Sequence, residues 1–127
     1  MMYTVSFENN NTIEIVANSL SEAEFIAYCS HNFEAIGMHI TGEDGAFMSV
    51  CRKAWDEMLE KHFEGFTISD VLAHLIINAY AWFHFDKVTH FDYYEECEIT
   101  TLCAEGLAYI KEHDRLGNYM QEIGFRW

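Results

Sequence analysis

From Val71 to Phe85 the chain runs without an aspartate, glutamate, lysine or arginine, and only His74, Asn78 and His84 interrupt its apolar character. A helix over this stretch is apolar nearly all round, so the rest of the chain must cover it on several sides. The run is shorter than the roughly 20 residues that cross a bilayer, which marks it as a central buried helix and not a membrane anchor. Thr67 or Ser69 caps its start, and the helix is predicted over 69–85. His74 and Asn78, one turn apart, form its polar stripe. They read first as a hydrogen-bonded pair inside a core, with an acid-base role as the sharper alternative.

The cover begins with strands. Tyr3, Val5 and Phe7 alternate with polar residues, and so do Ile13, Ile15 and Ala17, while Asn9, Asn10 and Asn11 supply the turn between them. This period of two predicts a hairpin over about 2–17 with one buried face and with Thr4, Ser6, Glu8, Thr12 and Glu14 on its wet side. Ser19 and Ser21 each stand three residues before a glutamate, the capping-box spacing, which opens a helix over about 20–32. Gly42-Glu43-Asp44-Gly45 turns a second hairpin over about 37–49, or else lies in a loop opening a helix at Asp44; the hairpin is preferred.

Ser49 then caps a helix over 50–63, whose residues Val50, Cys51, Ala54, Trp55, Met58, Leu59 and Phe63 recur at helical spacing. Lys53, Glu57 and Lys61 can pair along its outer face. Residues 86–98 read as a loop rich in aromatics and acids. After it, Ile99, Leu102, Cys103, Gly106, Leu107 and Ile110 trace the stripe of a last helix over about 99–115, with Gly106 marking a close helix contact. The expectation is a single α+β domain over 1–127, a small antiparallel sheet from two β-hairpins packed with about four α-helices.

Charge is distributed unevenly. Before Arg52 there is no lysine or arginine, but Glu8, Glu14, Glu22, Glu24, Glu34, Glu43 and Asp44 are already present. The whole chain holds 21 acids against 7 Lys and Arg, a formal net charge of −14. Such a field repels phosphates, which argues against direct binding to nucleic acid or an anionic membrane, and it steers basic proteins inward. With half the residues hydrophobic, a real core is affordable and this is no disordered acidic tail. The cysteines at 29, 51, 97 and 103 lack zinc-type pairing, and no charged leader precedes an apolar run at the amino terminus. Reduced thiols in a cytoplasmic protein of a bacterial host cell are expected.

The densest acidic stretch lies between Asp86 and Glu105, where Asp86, Asp92, Glu95, Glu96, Glu98 and Glu105 face one base, Lys87. Phe85, Phe91, Tyr93 and Tyr94 are threaded through it. Carboxylates set along a rigid surface imitate the phosphates of a duplex, about one charge per 1.7 Å of axis, and so occupy a basic cleft. The plainer alternative is that such a run only solvates a face. The partner-binding candidates are Phe91, Asp92, Tyr93, Tyr94, Glu95, Glu96 and Glu98, with Glu43 and Asp44 as a second patch.

The repeated His84-Phe85-Asp86 and His90-Phe91-Asp92 offer imidazole and carboxylate together, which suits zinc, manganese or iron. Their six-residue spacing across a helix end and a loop matches no metal motif, so no metal is assigned, and the phenylalanines are expected in the core. Cys29, Cys51 and Cys103 fall on apolar helix faces as small buried hydrophobes. Like charges around Cys97 disfavour its thiolate. No nucleophile and no cofactor follow.

Three segments carry a family resemblance: Gly45-Ala46-Phe47-Met48 after a strand, the helix from Ser69-Asp70 to Trp82-Phe83-His84-Phe85, and Leu107-Ala108-Tyr109-Ile110 leading to His113-Asp114 and Ile123. Together they resemble the ArdB/KlcA antirestriction family of plasmids and mobile elements, over about three quarters of the chain. The chain departs from that family in lacking a glycine-glycine-aromatic segment before Gly45 and a proline after His113. The resemblance implies a small α+β protein that blocks a restriction system without being an enzyme; it assigns no catalytic or binding residue. Charge and resemblance together predict an inhibitor of a nucleic-acid-targeting defence system, of antirestriction or anti-CRISPR type, acting on a basic protein. An immunity protein or antitoxin that neutralises a basic toxin is the alternative. A metal-dependent enzyme built on His84, Asp86, His90 and Asp92 is the third reading.

Overall fold

The computed structural model describes residues 1–125. In chain order it has β1 (Met2–Ser6), β2 (Thr12–Val16), α1 (Leu20–His31), a 3-10 turn (Asn32–Ala35), β3 (His39–Gly42), β4 (Phe47–Ser49), α2 (Arg52–Lys61), α3 (Ile68–His84), β5 (Lys87–Asp92), β6 (Cys97–Leu102), α4 (Ala104–His113) and α5 (Arg115–Glu122). The class is α+β, with β2-β1-β3-β4 as one antiparallel sheet and β5-β6 as a separate antiparallel pair. Among the described residues, no helix is long and apolar enough to cross a membrane.

Both expected hairpins form. In β1–β2, Tyr3 pairs with Ile15 and Val5 with Ile13, and Asn10 takes the positive φ that the turn requires. Tyr3, Val5, Phe7, Ile15 and Ala17 are buried, whereas Thr4, Glu8, Thr12 and Glu14 reach solvent. The period of two has put one face in the core. In the second hairpin Gly42 is also buried, and a Cβ there would lie 2.9 Å from Cε1 of Tyr3, so a side chain at this position would displace the ring of β1.

Helix starts follow their caps. Ser19 Oγ accepts from Glu22 N–H at 3.1 Å, which selects Ser19 over Ser21 as the cap of α1. At α3, Asp70 accepts from the backbone N–H of Thr67 at 2.8 Å, completing a capping box. The helix α3 packs against α1, α2, α4 and α5, the multiple cover its apolar surface demanded. The core runs from Tyr28 of α1 through Met38 and Ile40 to Val71 of α3 and on to Leu116 and Met120 of α5.

Several expectations are corrected. The segment 86–98 is not a loop, and the helix predicted over 99–115 does not begin at Ile99. Residues 87–92 and 97–102 form six register pairs from Lys87↔Leu102 to Asp92↔Cys97. Val88, Thr89, Ile99, Thr100 and Thr101 are β-branched, a strand preference that the spacing of Ile99 and Leu102 masked. Helix formation resumes only at Ala104 and breaks again at Asp114, which caps α5 by accepting from Gly117 N–H at 3.0 Å. Leu107, assigned to the buried stripe, is exposed, but Gly106 does make the close contact expected: its Cβ would meet Phe85 Cβ at 3.0 Å.

Ser49 does not cap α2. It belongs to β4, and Cys51 takes the cap position without a side-chain bond. The ion pair on α2 among the described residues is Arg52–Asp56 at 3.6 Å, in place of those expected from Lys53, Glu57 and Lys61. Cys29 and Cys51 are exposed, contrary to the apolar faces assigned to them, and Cys103 is half-buried. The reason is helix phase: α1 buries Ala23, Ala27 and Tyr28, and Cys51 precedes the first turn of α2.

Candidate functional site

The β5–β6 ribbon carries most of the partner-binding candidates. Asp92 closes β5, and its Oδ1 accepts from Tyr94 N–H at 2.8 Å and from Glu95 N–H at 3.4 Å, a local turn that an aspartate makes readily. Glu96 completes the reversal with a positive φ of 53°. This geometry leaves Tyr93 84% and Tyr94 100% exposed at the tip. Phe91 sits edge-on to Tyr93, ring centroids 4.9 Å apart, and is exposed. Glu95, Glu96 and Glu98 are exposed beside them. Phe91, Asp92, Tyr93, Tyr94, Glu95, Glu96 and Glu98 therefore share one ribbon end, three aromatic rings among four carboxylates.

The ribbon is held at its base. Cys103 N–H donates to Asp86 C=O at 2.9 Å, Leu102 is buried, and β6 leans on α4. Phe85 also packs there, half-buried against Gly106 and Tyr109, whereas Phe91 does not enter the core as expected.

Glu43 and Asp44 lie elsewhere, in the β3–β4 turn of the other sheet. Glu43 Oε1 accepts from Met2 N–H at 2.9 Å, and Asp44 Oδ1 accepts from Ala46 N–H at 3.0 Å. Both are exposed, yet each has a task in holding that turn. The second patch belongs to a different sheet from the first. His84, Asp86, His90 and Asp92 do not converge either: His84 stacks on Tyr80 at the end of α3, while His90 stands opposite Ile99 in the ribbon. Among the described residues no group of three or more His, Cys, Asp and Glu side chains is placed to hold a metal ion.

A second constellation joins α3 to the α4–α5 junction. His74, 2% exposed, meets Asp114, 1% exposed, with Nδ1 and Oδ2 2.7 Å apart. Asn78 Nδ2 donates to Asp114 Oδ2 and to the His74 carbonyl, each at 2.8 Å. With both amide hydrogens of Asn78 so engaged, the hydrogen between His74 and the carboxylate belongs to Nδ1 of the ring. Burial works against the charge on Asp114. The hydrogen bond and attraction of His74, with Gly117 N–H and Asn78, outweigh it and hold the carboxyl below its ordinary range. The polar pair foreseen on α3 is thus a triad, and its anion comes from 36 residues beyond Asn78.

His74 and Asn78 also line a cleft of about 460 Å³ together with Ser21, Glu24, Trp55, Leu75, Ala79 and Trp82. Glu24 Oε1 accepts from the buried Tyr28 hydroxyl at 2.8 Å. Burial pushes the Glu24 carboxyl up to about 7 even though that hydrogen bond lowers it. Trp55 stands edge-on to His74 at 5.5 Å. The residues missed in the sequence here are Glu24, Trp55, Trp82 and Asp114. Ser21 and Glu24 share an α1 face, and Leu75, Asn78, Ala79 and Trp82 share an α3 face, but nothing local aims these faces at each other.

The chain matches no protein-family model, and no curated protein or solved structure matches it.

Proposed function

We propose that this chain is an inhibitor that binds a basic protein through the tip of the β5–β6 ribbon, the target being a bacterial nucleic-acid-targeting defence effector of restriction or CRISPR type. The observation that carries this reading is the tip itself. Tyr93 and Tyr94 stand almost wholly in solvent beside Asp92, Glu95, Glu96 and Glu98, outside the core, with Phe91 edge-on to Tyr93. Large aromatics on an exposed ribbon are the usual anchors of protein interfaces, and carboxylates around them speed encounter with a positive groove. The net charge of −14 acts in the same sense over the whole surface.

The resemblance to the ArdB/KlcA antirestriction family supports the same choice of target. Its segments correspond to β4, the helix α3 and the α4–α5 pair, all outside the ribbon tip. Binding in this reading is stoichiometric and non-enzymatic, with the carboxylates standing in for duplex phosphates.

The test is expression in bacterial strains with and without a type I restriction system, and with and without an active CRISPR effector, followed by phage plating. Rescue in one defended strain is expected, and the triple variant Glu95→Lys, Glu96→Lys, Glu98→Lys should lose it while its circular dichroism is unchanged. Rescue retained by that variant would remove the ribbon from the reading. No rescue in any strain, with normal expression, would transfer the proposal to neutralisation of a basic toxin, for which co-purification of a small basic protein is the readout.

A further inference from the structure

We propose that the cleft between α1, α2 and α3 is a binding site for an organic cation, an ammonium or guanidinium group on an alkyl stem, with Glu24 as its counter-ion. The proposal is independent of the ribbon and of any partner that docks there. The cleft, at about 460 Å³, is of the size that small ligands occupy. Its walls are the indoles Trp55 and Trp82 with Leu75 and Ala79, and its polar groups are Ser21, Glu24, His74 and Asn78. Indole is the side chain that attracts cations most strongly through its ring face, and apolar walls suit an alkyl stem.

Glu24 distinguishes this cleft from an apolar gap. A carboxyl held mostly out of water beside Trp55, Trp82, Leu75 and Ala79, with the Tyr28 hydroxyl its one hydrogen-bond donor among the described residues, is under-solvated as an anion. A cation seated in the cleft removes that penalty, so its binding favours the charged form. The second carboxyl behind the cleft, Asp114, is already engaged by His74, Asn78 and Gly117 N–H and does not compete for the ligand. The titratable groups packed toward Glu24 are Tyr28 on its own helix and His74 on α3, with Asp114 behind it; α2 presents Trp55, which carries no charge.

The experiment is calorimetric titration of the full chain at pH 8 with n-pentylammonium, n-butylguanidinium, the capped amino acid Nα-acetyl-lysine methylamide, and neutral n-pentanol. Saturable one-to-one binding of at least one cation is expected, with at least tenfold weaker binding of n-pentanol. Affinity should fall about tenfold from pH 8 to pH 6 as Glu24 takes up its proton. Glu24→Gln should reduce binding at least tenfold at pH 8, and Trp82→Phe, which keeps an aromatic wall, should weaken it less than Glu24→Gln does. Tighter binding of the capped lysine than of the free amine would assign the cleft to a basic side chain of another protein, and the reverse order to a free amine. Absence of saturable binding by any of the cations, equal binding of n-pentanol, or unchanged affinity in a folded Glu24→Gln variant would each overturn the proposal. Loss of ribbon function in the triple lysine variant has no bearing on this result.

Discussion

The two hairpins β1–β2 and β5–β6 are close in length, yet they live in opposite surroundings. The first buries Tyr3, Val5 and Ile15 beneath α1 and continues through β3 into a wider sheet; the second has more register pairs and, among its twelve strand residues, only Leu102 is buried. Carboxylates divide in the same way. In the body Asp114, Glu24, Asp70 and Glu43 each accept from a named donor, while at the ribbon tip Asp92 alone does so and only to shape its own turn. The lesson is that ladder hydrogen bonds do not place a hairpin in the core. An isolated two-stranded ribbon is marginal in water, so this one persists through its base on α4 while its tip stands in solvent.

The comparison is sharpest where a buried charge is broken. Asp114→Ala strips His74 and Asn78 of their acceptor and removes the cap of α5, and we expect a loss of about 3–5 kcal/mol in urea unfolding. An Asp92→Ala variant of the ribbon should lose about 1 kcal/mol or less by the same measurement, its bonds being exposed. If the two losses were equal, the ribbon would be part of the cooperative core.

Apolar truncation should separate the sheets next. Ile40→Ala in β3, opposite Val5 in the core, opens a cavity and should cost about 2–5 kcal/mol. Tyr94→Ala, which removes a fully exposed ring, should fall within about 0.5 kcal/mol of the parent. Thermal melts of both variants check this.

Protonation supplies a third contrast, now inside the body. Glu24 has a folded pKa of about 7, above its ordinary 4.5, so the fold holds the proton more tightly than the unfolded chain does. Its contribution is fully present below about pH 4.5 and is lost as pH rises toward 7. Asp114, lowered from 3.8, acts in the other direction: its contribution is present above the unfolded value and is lost as pH falls through the folded one. Glu24→Gln should therefore flatten the decline between pH 5 and 7 and gain about 1–3 kcal/mol at pH 8. Denaturant melts over pH 3 to 8 measure both limbs. A stability difference between wild type and Glu24→Gln that stayed constant from pH 5 to pH 8 would contradict the raised Glu24 carboxyl.

The smallest expected effect on folding is that of Glu95→Lys, Glu96→Lys, Glu98→Lys, within about 0.5 kcal/mol, because exposed charges hold little of the fold together. The same variant should abolish rescue in the defended strain. Stability and activity then part company at the ribbon, as they should if its acids serve a partner.

Legibility in the sequence tracked how local each decision was. Alternation in 2–8 and 11–17 led directly to β1–β2 and the uncharged Val71–Phe85 run to a helix packed on several sides, Gly42 and Gly45 favoured the second turn over a helix start, and Ser19 or Ser21 and Thr67 or Ser69 narrowed the starts of α1 and α3, the structure choosing Ser19 and Thr67. Each of these depends on residues within a few positions of one another. The segment 86–102 resisted because Ile99, Leu102 and Cys103 also satisfy a helical spacing, and strand pairing of 87–92 with 97–102 decided between the two. Asp114 looked like one more polar residue between His113 and Arg115, and its burial was invisible locally.

By itself the sequence determined the α+β class, the buried face of the β1–β2 hairpin, the starts of α1 and α3 to within a residue or two and the one-sided charge, since covalent geometry turns residue spacing into faces and caps without reference to distant chain. Only the tertiary structure decided that the acidic stretch is a ribbon with its aromatics outside, that Asp114 completes the His74–Asn78 pair, and that Glu24 and two tryptophans share a cleft. Those outcomes depend on which helices and strands come to lie together, and that choice is made by the packing free energy of the whole core and not by any segment alone.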